Sequence, residues 1–399
     1  MSKKVIMNTA LLVSSFFCVS PQLYAQQSEE QIPAVSSREV RDTVRTTSTN
    51  KKNNSYWNQL IHGNIDRTFE QKMDISFGAM PSYTREAGFG IGGMASGLYR
   101  IDRTDSTLRP SNITLVFNAS LLGFYALSAE GNNYFKGGKS VLSYDVTFTA
   151  RPLDFWGISY DACKINPVIN YTRKKILIDA NYQYRLSGNW YVGGKLYFAY
   201  TYITKIDDLS YIEGQKKNYL TTGLGVSLQY DSRDFVPNPK RGVYLMLRQS
   251  VFPEIFGNSG KTHYRTTFIA DGYKNLWQGA IVAADLFGEF NPGSAPWTLR
   301  EELGNNWRMR GYYEGRYMDN NMVIGQVELR QHIIQRFGCT AWIGSGAVFP
   351  AFDRFRAKNM LITYGIGWRW EFKHNVNFRI DYGFGKQTGG FVCNIGEAF

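Results

Sequence analysis

Groups from which a catalytic or metal centre is usually built are scarce in this chain. Its four histidines, His62, His263, His332 and His374, are scattered without metal-ligand spacing. Gly344, Ser345 and Gly346 lack the spacing of a nucleophile elbow, and residues 257–261 do not follow a phosphate-loop pattern. These absences predict a protein that is not an enzyme and holds neither cofactor nor metal. Cysteine is equally sparse: of four, Cys18 falls in the leader described below, leaving Cys163, Cys339 and Cys393. An odd number in an oxidising compartment argues against a full disulfide framework, and Cys339 and Cys393 are expected to pack as small apolar residues. After the leader, no apolar run approaches the roughly 20 residues that a spanning helix needs. The formal charge of +12 is not gathered into a basic domain. It therefore predicts no nucleic-acid partner and fits basic residues at a rim facing anionic lipid heads.

The leader decides the compartment. Lys3 and Lys4 precede an apolar run over residues 10–19, and Leu23, Tyr24 and Ala25 stand before Gln26, the order of a secretory signal ending in a small residue. Residues 1–25 are expected to be this signal peptide. A lipoprotein alternative would modify Cys18, but Phe16 and Phe17 are bulky where a small residue is wanted. Residues 26–71 are rich in Ser, Thr, Asn, Arg and Lys and carry too few apolar residues to bury a core. They read as a polar periplasmic tether, within which a weakly amphipathic helix from Glu29 to Arg45 is an option.

What the remainder has in quantity is aromatic residues, glycine and alternation. In 142–150 the even positions are Leu, Tyr, Val, Phe and Ala while the odd ones are polar, and 178–186 and 376–384 repeat the pattern. A soluble antiparallel sheet with one wet face would alternate in the same way. Tyr and Phe on the dry faces, and segments near ten residues between polar turns, favour strands that cross a membrane. Alternation and turn chemistry place sixteen strands near 73–81, 88–101, 111–120, 122–135, 139–151, 174–186, 189–203, 218–230, 241–251, 262–273, 276–287, 321–334, 337–348, 359–371, 376–384 and 389–398. Short connections (136–138, 187–189, 336–338, 373–375) fall on one side and long ones (152–173, 204–217, 288–320) on the other. The expected fold is all-β: a transmembrane antiparallel β-barrel of about 16 strands filling residues 72–399.

The longest outer connection carries Arg310 between glycines, and in the following strand Glu328 and Arg330 share one face. Arginine cannot shed its charge, so if this loop folds into an enclosed space it needs a carboxylate, for which Glu328 is a candidate. Met309, Arg310, Gly311 and Tyr312 resemble the (V/I)RG(F/Y) tip of the loop that tucks inside the barrel in the BamA/TamA superfamily of outer-membrane proteins. Glu328 falls where that family places the acidic partner. A second match spans Tyr230 to Gly242 and resembles the family's D-x-R-D…P-x-x-G turn. Its chemistry is legible by itself: Pro237 and Pro239 end strand pairing, Gly242 permits the turn, and Asp231, Arg233 and Asp234 are placed to neutralise one another at the periplasmic rim.

Residues 81–93 resemble the lead-in to the family's second strand, and Phe391, Ile395 and Phe399 resemble its C-terminal targeting strand, with Phe391 and Ile395 outward. Glu397 departs from that pattern and is expected at the periplasmic interface. A second acidic residue, usual in an Asp-x-Gly pattern after Glu328, is missing from 342–348. Arg310 is thus left to Glu328 alone, or Asp381 substitutes.

The resemblance covers 63–399 and implies a multi-pass protein of a Gram-negative outer membrane, surrounded by outer-membrane lipid and inserted by the barrel assembly machinery. It implies insertion, export or surface display of other proteins or lipids through the seam between first and last strands, with client and periplasmic partner unidentified. Residues 26–71 are too short for the POTRA domain that assembling and secreting members carry. A solute channel or structural surface protein, plugged by the inward loop, is the alternative.

Overall fold

The computed structural model describes residues 68, 71–84, 88–105, 108, 110–235, 238–258, 260–305, 307–373 and 376–399. The expected signal peptide and nearly all of the expected tether lie outside them. Sixteen strands form one antiparallel sheet, each bonded to its sequence neighbours. They are β1 (Asp74–Thr84), β2 (Gly88–Tyr99), β3 (Ser111–Ser120), β4 (Tyr125–Tyr134), β5 (Ser140–Phe155), β6 (Ile169–Ser187), β7 (Trp190–Ile206), β8 (Asn218–Asp231), β9 (Gly242–Phe252), β10 (His263–Trp277), β11 (Ala280–Phe290), β14 (Asn321–Ile334), β15 (Phe337–Phe349), β16 (Leu361–Lys373), β17 (Val376–Gly385) and β18 (Thr388–Ile395). Between β11 and β14 the extracellular loop 291–320 carries two further short strands, β12 (Glu301–Leu303) and β13 (Tyr317–Asp319), paired only with each other.

The period of two sorts side chains as a membrane barrel requires, with apolar residues outward and polar ones inward. Along β14, Val327 and Leu329 are exposed while Gln326, Glu328 and Arg330 are buried. Along β9, Leu245 and Leu247 face out and Tyr244, Met246 and Arg248 line the interior cavity. Among the described residues no helix is long and apolar enough to cross a membrane.

Several strands run beyond expectation, β5 and β6 together. β5 continues to Phe155 and β6 begins at Ile169, so with β7, paired to β6 as far as Tyr171, they extend beyond the ends of β4 and β8. Pro152 reads as a breaker, yet it pairs with Thr172 because β4 has already ended opposite Ala150, and the proline's missing N–H falls on the open side. Between them lies α1 (Tyr160–Ile165), capped by the Ser159 hydroxyl accepting from Ala162 N and holding Cys163 in the core. Burial pushes the Cys163 thiol up to about 11, which makes it an inert packing group. Cys339 departs from expectation: it is exposed, on the outward face of β15. The side chain of Cys393 lies outside the described set.

Candidate functional site

Residues 291–320 fold back into the lumen. The turn at their tip begins with Asn305, whose carboxamide oxygen accepts from Trp307 N at 2.8 Å and Arg308 N at 2.7 Å. Met309 takes a left-handed backbone with φ of 52°, and Gly311 one with φ of 101°. Such angles cost a non-glycine residue of order 1–3 kcal/mol and persist where surrounding contacts over-determine them. Here those contacts are dense. A Cβ on Gly311 would lie 2.5 Å from the carbonyl carbon of Gly383, and one on Gly383 would lie 2.4 Å from Arg310 O. Two glycines thus let the loop backbone touch the backbone of β17.

Arg310 is fully buried and its guanidinium forks between two carboxylates. Nη2 donates to Glu328 at 2.5 Å and Nη1 donates to Asp381 at 2.7 Å. Its Cζ stands 3.7 Å from the ring centroid of Trp342, which covers the face of the cation. Glu328, the expected partner, is thus one of two acids on this guanidinium, and Asp381 is the other. Further arginines share these carboxylates. Asp381 also accepts from Arg369 and Arg379, each at 2.6 Å, and Glu328 accepts from Arg330 at 2.8 Å. Glu397 lies 2.8 Å from Arg369 and 3.6 Å from Arg330. Four arginines alternate with three carboxylates, so most charges face more than one opposite charge. That sharing offsets the cost of removing them from water.

Other contacts tie the loop to the wall. The Tyr312 hydroxyl donates to Ile362 O at 3.0 Å and accepts from Lys386 N at 2.8 Å, and Thr388 Oγ1 donates to Gly311 O at 3.0 Å. Arg308 grips Asp285 of β11 through two bonds of 2.7 and 2.8 Å. Arg173 of β6 pairs with Glu302, and Arg265 of β10 with Glu301 at 3.0 Å. The tip is thus held by β14 to β18, while its flanks bridge to β6, β10 and β11.

The turn 232–241 differs from expectation in one detail. Arg233 grips Asp231 through bonds of 3.0 and 2.8 Å and stacks 4.3 Å from the Tyr244 ring centroid. Asp234 does not join them. Its Oδ1 instead accepts from the backbone of Phe235, Lys240 and Arg241, organising the turn as an Asx motif does. Gly242 has φ of 111°, and a Cβ there would lie 2.3 Å from Ser232 O. Pro239 is buried at the rim, and Pro237 lies outside the described residues.

At the C-terminal strand, Phe391 is exposed on the outer face, while the side chain of Ile395 is not among those described. One expectation is corrected. Glu397 is not at the interface but buried in the arginine network. Phe399 turns inward, its ring centroid 6.5 Å from that of Tyr273 and its carbonyl accepting from Arg330 at 3.0 Å. The missed members, Arg369, Arg379 and Trp342, carried a usable signal. In β17 the even positions are apolar, so Arg379 shares the inward face with Asp381, and the β16–β17 register sets Arg369 opposite Arg379.

Comparison with known proteins agrees with this fold. The Omp85 superfamily domain matches residues 125–399. Among solved structures, the chain is similar to BamA from Haemophilus ducreyi lacking POTRA domains 1–3, with 12% identity, 79% of this chain and 66% of that one covered, and a TM-score of 0.54. CdiB from Acinetobacter baumannii matches with 12% identity, 80% and 59% coverage and a TM-score of 0.53. CdiB from Escherichia coli matches with 11% identity, 80% and 60% coverage and a TM-score of 0.55. The chain thus spans about 59–66% of the length of these structures. Among curated proteins no sequence match is found. With the family domain matching more than half of its length, and its barrel shared with solved members, the chain belongs to the Omp85 superfamily of outer-membrane β-barrels.

Proposed function

We propose that this protein acts in a Gram-negative outer membrane in the insertion, export or surface display of other outer-membrane components. On this reading the edges of β1 and β18 take part, and the inward loop sets the state of those edges. The observation that carries the reading is the attachment of the loop tip: Arg310, Gly311 and Tyr312 bond to β16, β17 and the start of β18. The same arginine network includes Glu397, beyond the end of β18. Moving the loop would therefore change contacts beside the seam. Two further features support it. β18 has 8 residues, fewer than the other barrel strands, and Gly389 and Gly390 supply no side chain for cross-strand packing. A short, weakly packed terminal strand is an edge to which another strand can add.

A channel is the second reading, favoured by a polar cavity of about 460 Å³ between the loop and β5 to β11, lined by Asp179, Lys195, Arg248 and Glu302 among others. Depletion followed by quantitative comparison of the outer-membrane proteome separates the two. Loss of specific barrels or surface proteins is the outcome expected here. An unchanged proteome with altered solute uptake would favour the channel.

A further inference from the structure

The outer wall has a depression that the lumen chemistry does not use. It measures about 720 Å³, is almost wholly apolar, and crosses six strands from β9 to β16. Its floor is Gly272, Ala284 and Gly325, and its walls include Leu286, Ile343 and Ile362. Cross-strand register makes the depression continuous: Gly272 sits opposite Ala284, and Leu286 opposite Gly325. Ile362 is the second residue of β16, at the extracellular end, whereas Leu245, at the far end, is the fourth residue of β9 from the periplasmic side. The depression therefore descends obliquely through the membrane. Six strands at ~4.8 Å spacing make it roughly 24 Å long around the wall; with strands tilted by about 45° it descends roughly 17 Å, about the depth of one leaflet of the hydrocarbon core.

The glycines in the floor have no internal reason to be glycine. A Cβ on Gly272 would meet nothing within 4 Å, and one on Gly325 only Leu286 Cδ1 at 3.9 Å, both on ordinary strand backbone. Glycine in a strand sacrifices packing and order, and is found where something else comes close to the sheet. Its neighbour Ile343 is 60% exposed, so the protein itself does not fill the space.

Above the extracellular end lies the connection 350–360, folded down onto the outer wall. The Phe352 ring centroid is 5.1 Å from that of Phe290, whose ring covers Gly288 on the outward face of β11. Phe355 packs 5.2 Å from Phe349. Phe352 remains 67% exposed. Beside these rings Arg354, Arg356 and Lys358 are exposed, with Asp353 the only acid in the connection. Among the described residues none of the three cations is in an ion pair. Exposed aromatics with unpaired cations next to them suit the boundary between acyl chains and anionic headgroups.

We infer that this face binds one phosphate-bearing lipid of the surrounding membrane. An acyl chain lies along the glycine-floored depression and the phosphate sits at Arg354, Arg356 and Lys358. The site depends only on the barrel wall and the connection 350–360, and is independent of the proposed export function. It is tested on the purified full-length chain in detergent. Phosphatidylglycerol and phosphatidylcholine with identical acyl chains are added, and retained lipid is counted by native mass spectrometry. Heat-modifiable gel mobility verifies the folded barrel of each variant. The wild type is expected to retain phosphatidylglycerol about tenfold over phosphatidylcholine, as three headgroup-facing cations warrant. R354Q/R356Q/K358Q should bring that ratio near one while still holding lipid, and G272L/G325L should lose retention of both lipids. Equal retention of the two lipids by the wild type overturns the inference. So does wild-type retention in both variants, or a protein seated in the depression in place of lipid. If G272L/G325L fails to fold, the loop variant alone decides.

Discussion

Asp381 accepts from three arginines and Glu328 from two, so the two acids are unequal supports for the loop. Removing the charge of Asp381 leaves Arg310, Arg369 and Arg379 facing one another. Loss of one partner from a buried pair costs about 3–5 kcal/mol, less where water reaches the site. Asp381→Asn should therefore insert as a barrel but expose 299–320 to surface protease more than Glu328→Gln does. Equal protection in the two variants would remove Asp381 from its central place. Exchange of charge gives a sharper outcome. Arg310→Glu with Glu328→Arg restores one pair, yet it sets the new glutamate against Asp381, 2.7 Å from where the guanidinium now donates. Little recovery over the single changes is expected, measured by the same protease protection, and full recovery would show that Asp381 is not a true partner.

The loop and β17 meet backbone to backbone, which makes glycine at 383 a requirement of the element pair. Gly383→Ala introduces a Cβ 2.4 Å from Arg310 O, so the loop must lift. The barrel ladder should survive, and cleavage within 299–320 should match that of Arg310→Ala; wild-type protection would mean that the contact is not needed. Strand direction is checked by single cysteines in a Cys339→Ser background. Thiols at Lys164 or Lys216, both exposed in outer connections, should label in intact cells, and one at the exposed Lys240 should not. The reverse pattern would invert the barrel.

The elements were largely legible because each strand is a short alternating run closed by polar turn residues. β3 and β14 coincide with expectation over 111–120 and 321–334. The hairpin extension past Pro152 was not legible, since a proline's tolerance depends on which neighbouring strand has ended. The same limit hid Glu397 and Phe399: alternation assigns faces along a regular strand, and both residues lie beyond the end of β18. The loop's short strands and its Asx turn were hidden because three-residue pairings form only once the loop is packed.

For the whole molecule, the account joins a loop, a charge network and a seam. Four arginines and three carboxylates hold the loop tip to β14, β16, β17 and the segment after β18, and the barrel's own hydrogen bonds do not depend on them. A change at Arg310 should thus separate assembly of this protein from its activity. The most direct measurement is the outer-membrane proteome of cells carrying Arg310→Ala as the sole copy, with the variant itself quantified. The account predicts wild-type amounts of folded variant together with loss of the same proteins that are lost on depletion. A wild-type proteome in those cells would contradict it.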